Sequence, residues 1–106
     1  MIRACDAAAL ADGEAIRLLA HVPISVFHTD GEYFAIDDTC SHQDASLADG
    51  WVEGCFVECP LHAALFDLRT GLPSCLPAKN GLRTYPVVLD GGVIYVDTGV
   101  EQEDVA

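Results

Sequence analysis

The sequence predicts an all-β protein, a small antiparallel sandwich or barrel carrying a loop-built binding insert, and three observations support that reading. Short runs rich in Val, Ile, Phe, Tyr and Thr recur between turn residues, which suits half-buried strands. Two turns built on Asp-Gly separate pairs of such runs and mark hairpins. The middle of the chain, about 38–81, holds four of the five cysteines and three of the five prolines, too turn-rich for regular structure. A chain of 106 residues supports one domain, so the expected unit is a single domain over 1–106 with the insert inside it.

In chain order, Asp6–Gly13 reads as a short helical turn, with Asp6 as N-cap and Gly13 as the stop. Glu14–Ala20 reads as a poorly alternating strand. Ile24–His28 and Glu32–Ile36 flank Thr29-Asp30-Gly31, where Asp-Gly supplies the positive-φ turn of a tight hairpin. Residues 38–81 form the irregular insert. Thr84–Leu89 and Val93–Asp97 flank Asp90-Gly91-Gly92 and give the second hairpin. The tail Glu101–Ala106 is acidic and is expected to fray.

Charge narrows the function. Five Lys and Arg face 17 Asp and Glu, a net charge of −12 and a pI near 4.3. Arg3, Arg17, Arg69, Lys79 and Arg83 are scattered, so the counterion release that drives nucleic-acid binding has no cluster to act through. An acidic surface instead steers a protein toward a basic patch on another protein. No apolar run reaches the roughly 18 residues of a membrane span, and no secretory leader pattern opens the chain. The expected location is the cytoplasm, where an odd number of cysteines points to metal ligation rather than a disulfide framework.

The insert contains Cys40-Ser41-His42 and Cys59-Pro60-Leu61-His62, with 16 residues between His42 and Cys59. Residues two apart on an extended segment share a face, so Cys40 and His42 can point the same way, and Pro60 presets a tight turn between Cys59 and His62. Two Cys and two His form a common zinc set, but structural zinc sites usually pair Cys with Cys and His with His. Mixed pairs suit a binuclear cluster in which one iron takes both thiolates and the other both imidazoles, the Rieske [2Fe–2S] arrangement. Zinc remains the competing metal.

The sequence resembles the Rieske-type ferredoxins of bacterial aromatic-ring-hydroxylating dioxygenase systems. Cys40-Ser41-His42, Leu47-Ala48-Asp49-Gly50, Glu58-Cys59-Pro60-Leu61-His62, Phe66 and Thr70-Gly71 carry the resemblance over nearly the whole chain. Glu58–Ala64 with Cys75-Leu76-Pro77-Ala78 looks most like the phenylpropionate-type ferredoxin subunits. The resemblance implies the Rieske fold, and a [2Fe–2S] cluster with Cys40 and Cys59 on one iron and His42 and His62 on the other. It also implies that Gly71–Ala78, with Pro73 and Pro77, is the proline loop shielding the cluster. High-potential Rieske proteins join their cluster loops by a disulfide and carry a hydroxyl two residues after the second His. Here those positions are Ala45, Leu61 and Ala64. Fewer donors to the sulfurs place the expected potential toward the low end of the range of about −150 to +300 mV. Gln43 and Ala63 stand where the family often has Gly after each ligand His.

The implied role is one-electron transfer without catalysis, as a monomer. The donor is a flavin-dependent NADH ferredoxin reductase, and the acceptor is a terminal oxygenase holding its own Rieske cluster and non-haem iron. The residues agree with a carrier, since the chain has neither a G-x-G-x-x-G dinucleotide fingerprint nor an open metal triad for oxygen chemistry. The alternatives are a small Rieske subunit of a nitrite-reductase-like complex and a structural zinc module. Outside the ligand set, Cys5, Cys55 and Cys75 read as small buried hydrophobes. His21 and His28 read as structural or surface residues. Trp51 reads as loop packing, and Asp37-Asp38 as a solvated pair.

Overall fold

The computed structural model describes residues 1–39, 46–60, 65–73 and 81–99. Ten strands form three antiparallel sheets, and the described residues contain no α-helix, as the all-β reading expects. None of them lies in a helix long and apolar enough to cross a membrane.

The central sheet has the order β2-β3-β4-β8, from Ala15–Leu19, Pro23–Thr29, Glu32–Asp37 and Thr84–Tyr85. The hairpin of β3 and β4 turns at Asp30 (φ 52°) and Gly31 (φ 75°), the two left-handed residues that match the twist of paired strands. A second sheet runs β1-β10-β9, from Ile2–Asp6, Val93–Val96 and Val87–Asp90, with Gly91 and Gly92 forming the β9–β10 turn. The third sheet, β5-β6-β7, comprises Trp51–Glu53, Phe56–Glu58 and Leu65–Asp67.

Strand β3 explains the layering. Ile24, Ser25, Val26 and Phe27 are all fully buried, where a strand with one wet face would alternate. Ile24 and Val26 pack with Ile2, Ala35, Ile94 and Val96 toward the second sheet. Phe27 packs with Ile36, Leu47, Val57 and Phe66 toward the third. The central sheet is therefore covered on both faces, and the third sheet is held to it by one apolar core. The Thr29 hydroxyl adds a hydrogen bond to the Gly54 carbonyl at 2.8 Å.

One strand goes beyond the sequence reading, and three expectations need correction. The N-terminal segment forms strand β1, because Ile2 fills the core beside Val96 although the run is too short and mixed to show period two. The helical turn is confined to Ala7–Ala9, and the Asp6 side chain bonds Arg3 at 2.6 Å instead of capping it. The run Thr84–Leu89 splits at Pro86, whose missing N–H breaks the ladder, so β8 joins β4 while β9 joins β10. The insert is also more regular than expected, since it supplies all of β5, β6 and β7.

Candidate metal centre

The two segments that carry the candidate ligands leave the described fold at neighbouring necks. The first follows β4, and the described residues on either side of it, Thr39 and Ser46, pair with each other. The second is the β6–β7 connection, whose ends are fixed by the pair Glu58 and Leu65. Leu47, just after the first neck, and Cys59, just inside the second, belong to the same buried cluster as Phe66 and Leu68. Both necks are thus seated on one rigid base.

Asp38 holds the first neck. Its side chain is 1% exposed, which overturns the solvated reading. Carboxylate Oδ1 accepts from the Ser25 hydroxyl, from the Ser46 hydroxyl at 2.7 Å and from the Ala48 N–H at 3.2 Å. Arg17 Nε stands 3.1 Å from Oδ2 and offsets its charge. The Asp38 main chain extends the clasp, its N–H donating to the Pro23 carbonyl (3.0 Å) and its carbonyl accepting from the Leu47 N–H (2.8 Å). A buried carboxylate persists only where donors and a countercharge replace water, and the fold supplies both. Asp37 serves the neighbouring junction, accepting from the Tyr85 hydroxyl at 2.6 Å and the Arg83 N–H at 3.2 Å.

Gly50 fixes the relation between the necks. A β-carbon there would collide with the Glu58 carbonyl oxygen, one residue before Cys59. Only a residue without a side chain lets β5 approach β6 so closely, and Gly50 also closes the turn after Leu47 through its N–H, 3.0 Å from the Leu47 carbonyl. On the far edge of the third sheet, Phe66 pairs with Pro73, and Leu82 donates its N–H to the Gly71 carbonyl at 2.7 Å. The start of the expected proline loop is thereby tied to β7.

Of the four candidate ligands, Cys59 is among the described residues and is 1% exposed. Cys40, His42 and His62 lie outside them, as do Gln43, Ala45, Leu61, Ala63, Ala64, Cys75, Pro77, Lys79 and the tail Glu101–Ala106. The donor set fits an iron–sulfur cluster: Cys59 is buried in the core on which both necks sit, and cysteines with imidazoles are the ligands such clusters take.

The remaining candidates fall elsewhere. Cys5 and Cys55 are half-buried, and burial pushes the Cys5 thiol up, with Asp6 adding to the rise and Arg3 opposing it. His28 is structural: its Nδ1 lies 2.8 Å from the Leu10 carbonyl, and its ring stacks on Tyr33 with centroids 4.2 Å apart. His21 lies exposed in the β2–β3 turn. Trp51 departs furthest from expectation. It opens β5 and is 62% exposed, because the alternation of β5 turns Val52 inward and Trp51 out.

The described cations are all engaged. Arg3 pairs with Asp6, Arg17 with Asp38, and Arg69 with Glu32 at 2.9 Å while lying over the Phe34 ring. Arg83 lies over the Tyr85 ring and donates to the Thr98 carbonyl at 3.2 Å. The excess of 17 acidic over 5 basic side chains makes the surface field negative.

Comparison with known proteins agrees with this geometry. The chain is 50% identical over 99 residues to the 3-phenylpropionate/cinnamic acid dioxygenase ferredoxin subunit of Photorhabdus laumondii, covering 92% of this chain and 94% of that protein. Its fold matches the ferredoxin of Sphingomonas yanoikuyae B1 with a TM-score of 0.85 and 34% identity, covering 92% and 97% of the two chains. It matches equally, at TM-score 0.85 and 31% identity over 90% of each chain, a chain in the complex of reduced oxygenase and oxidized ferredoxin of carbazole 1,9a-dioxygenase. Residues 1–86 match the model of the Rieske [2Fe–2S] domain, and with the paired loop necks and the ligand spacing this establishes that the chain belongs to the Rieske [2Fe–2S] family.

Proposed function

We propose that this chain is the ferredoxin component of an aromatic-ring-hydroxylating dioxygenase, taking single electrons from a flavin-dependent NADH reductase and delivering them to a terminal oxygenase. The observation that supports it most is the seating of both ligand-loop necks on one buried core in a chain that carries C-x-H-x16-C-x2-H. When bound, the [2Fe–2S] cluster supplies reversible one-electron chemistry. Cys40 and Cys59 are assigned to one iron, and His42 and His62 to the other. Asp38 and Arg17 hold the first loop at its neck, Gly50 sets its distance from the second, and Leu47, Phe66 and Leu68 keep water from the base of the site.

The same reading makes the chain a cytoplasmic monomer, a single domain over 1–106 whose cluster-binding insert spans about 38–81. Net charge and the engaged arginines favour transient, salt-sensitive docking to basic partners. The choice of aromatic substrate belongs to the oxygenase. The test is reconstitution from purified reductase, oxygenase and this chain with NADH and an aromatic acid such as 3-phenylpropionate. Dihydroxylated product should form only when the chain is present, at a rate rising with its concentration. Equal product without it would contradict the assignment.

A further inference from the structure

The outer face of the third sheet departs from what a solvent-facing sheet carries. Its strands read Trp-Val-Glu, Phe-Val-Glu and Leu-Phe-Asp, and the middle residue of each, Val52, Val57 or Phe66, faces the core. The flanking residues therefore all point outward. Register places Trp51, Glu58 and Leu65 in one row across the sheet, and Glu53, Phe56 and Asp67 in the next. Apolar and acidic side chains thus alternate along both rows. Leu72 continues the second row: Phe66 pairs with Pro73, which sets Leu72 beside Asp67, and the Asp67 N–H donates to the Leu72 carbonyl at 2.9 Å.

Trp51 and Leu72 are 62% and 59% exposed, and Phe56 and Leu65 are half-buried and belong to neither buried core. A sheet face turned only to water needs no tryptophan, phenylalanine and two leucines, whereas interface centres are enriched in aromatic anchors set among polar groups. Among the described residues no cation stands on this face. Arg69, the nearest in sequence, is committed to Glu32 and Phe34 on the side of β4. The first row lies at the end of the sheet where the second ligand loop begins, since Glu58 immediately precedes Cys59.

We infer that this face, with Trp51 as its most exposed aromatic residue, is the docking surface for the terminal oxygenase, whose complementary patch is apolar and ringed by Arg and Lys. Charge complementarity selects the basic rim, and association between oxygenase and ferredoxin is the complex formed by the carbazole dioxygenase relative. The inference rests on the carrier function proposed above. Trp51 is the anchor that fills a pocket on the partner, while Glu53, Glu58 and Asp67 orient the encounter and fix its register.

The test measures affinity of the iron-loaded protein for purified oxygenase and for purified reductase by titration calorimetry, in low and moderate salt. Trp51→Ala should raise the Kd for oxygenase about tenfold or more, the effect of truncating an interface anchor. Glu53→Gln with Glu58→Gln should flatten its salt dependence. Leu89→Ala, at another exposed apolar residue (53%), on the second sheet, should change neither. Unchanged visible absorption and iron content in each variant separate this test from the carrier assignment, which fails instead if the wild type holds no cluster. An oxygenase Kd within twofold of wild type for Trp51→Ala overturns the inference. So does a loss confined to the reductase, or a dimer of this chain in sedimentation velocity that Trp51→Ala dissociates.

Discussion

Replacing Asp38 by alanine probes the clasp that holds the first ligand loop. The substitution removes the acceptor of the Ser25 hydroxyl, the Ser46 hydroxyl and the Ala48 N–H, and the countercharge of Arg17. A hydrogen bond to a charged group contributes about 1.5–3 kcal/mol, and a buried donor left unsatisfied costs about 1–3 kcal/mol. These contributions overlap and do not add. Arg17 is half exposed and turns to water, so its share is discounted for screening, and removing a buried carboxylate returns part of its desolvation cost. The balance is a loss of about 3–5 kcal/mol, against a total of about 5–15 kcal/mol for a typical domain. In urea, with a slope of about 1.5 kcal/mol/M, that lowers the unfolding midpoint by about 2 M or more. Because the neck bridging residues 40–45 loosens, iron content should fall as well. Asp38→Asn keeps the Oδ1 acceptor and should lose about 1–3 kcal/mol while retaining most iron. An Asp38→Ala protein with a midpoint within about 0.5 M of wild type and full iron would refute the clasp, since only substitutions away from such features cost so little.

Other expectations follow from the same geometry. Gly50→Ala forces its β-carbon onto the Glu58 carbonyl and should destabilise by about 1–3 kcal/mol, read as a lower urea midpoint; a neutral effect would mean that β5 and β6 separate freely. Cys40→Ser should abolish cluster assembly, and wild-type visible absorption in that variant would remove Cys40 from the ligand set. In His62→Cys, any cluster that assembles gains a thiolate charge and should titrate at a much lower potential than wild type. The wild-type midpoint, by potentiometry followed by EPR, should lie toward the low end of the Rieske range of about −150 to +300 mV, and a value well above 0 mV would contradict the loss of sulfur donors implied by Ala64. Reduction by the reductase, followed by stopped-flow absorbance, should slow as salt rises, and a flat response would remove electrostatic steering.

The parts of the fold that local chemistry dictates were legible in the sequence. Asp30-Gly31 and Gly91-Gly92 announce their hairpins because few residues enter the left-handed region. The spacing of Cys40, His42, Cys59 and His62 points to a metal centre because ligand chemistry restricts the residue types, and of the four Cys59 lies among the described residues. What depends on distant partners was not legible. Ile2 becomes a strand residue only because β10 lies beside it, and the split at Pro86 follows from which sheet each half meets. Asp38 looks like its neighbour Asp37 in sequence, yet only the tertiary approach of Ser25, Arg17 and Ser46 makes its burial tolerable. Trp51 departs from expectation for the same reason. Its outward orientation is set by Val52 entering the core, and a three-residue strand is too short for its alternation to be read from sequence.

The central claim is that the four paired ligands hold a Rieske cluster, and metal analysis with EPR tests it most directly. The purified protein should contain two irons and two acid-labile sulfides per chain, bleach on anaerobic addition of dithionite, and then give a rhombic Rieske-type EPR signal. A colourless protein holding one zinc, which iron and sulfide reconstitution fails to convert, would contradict it.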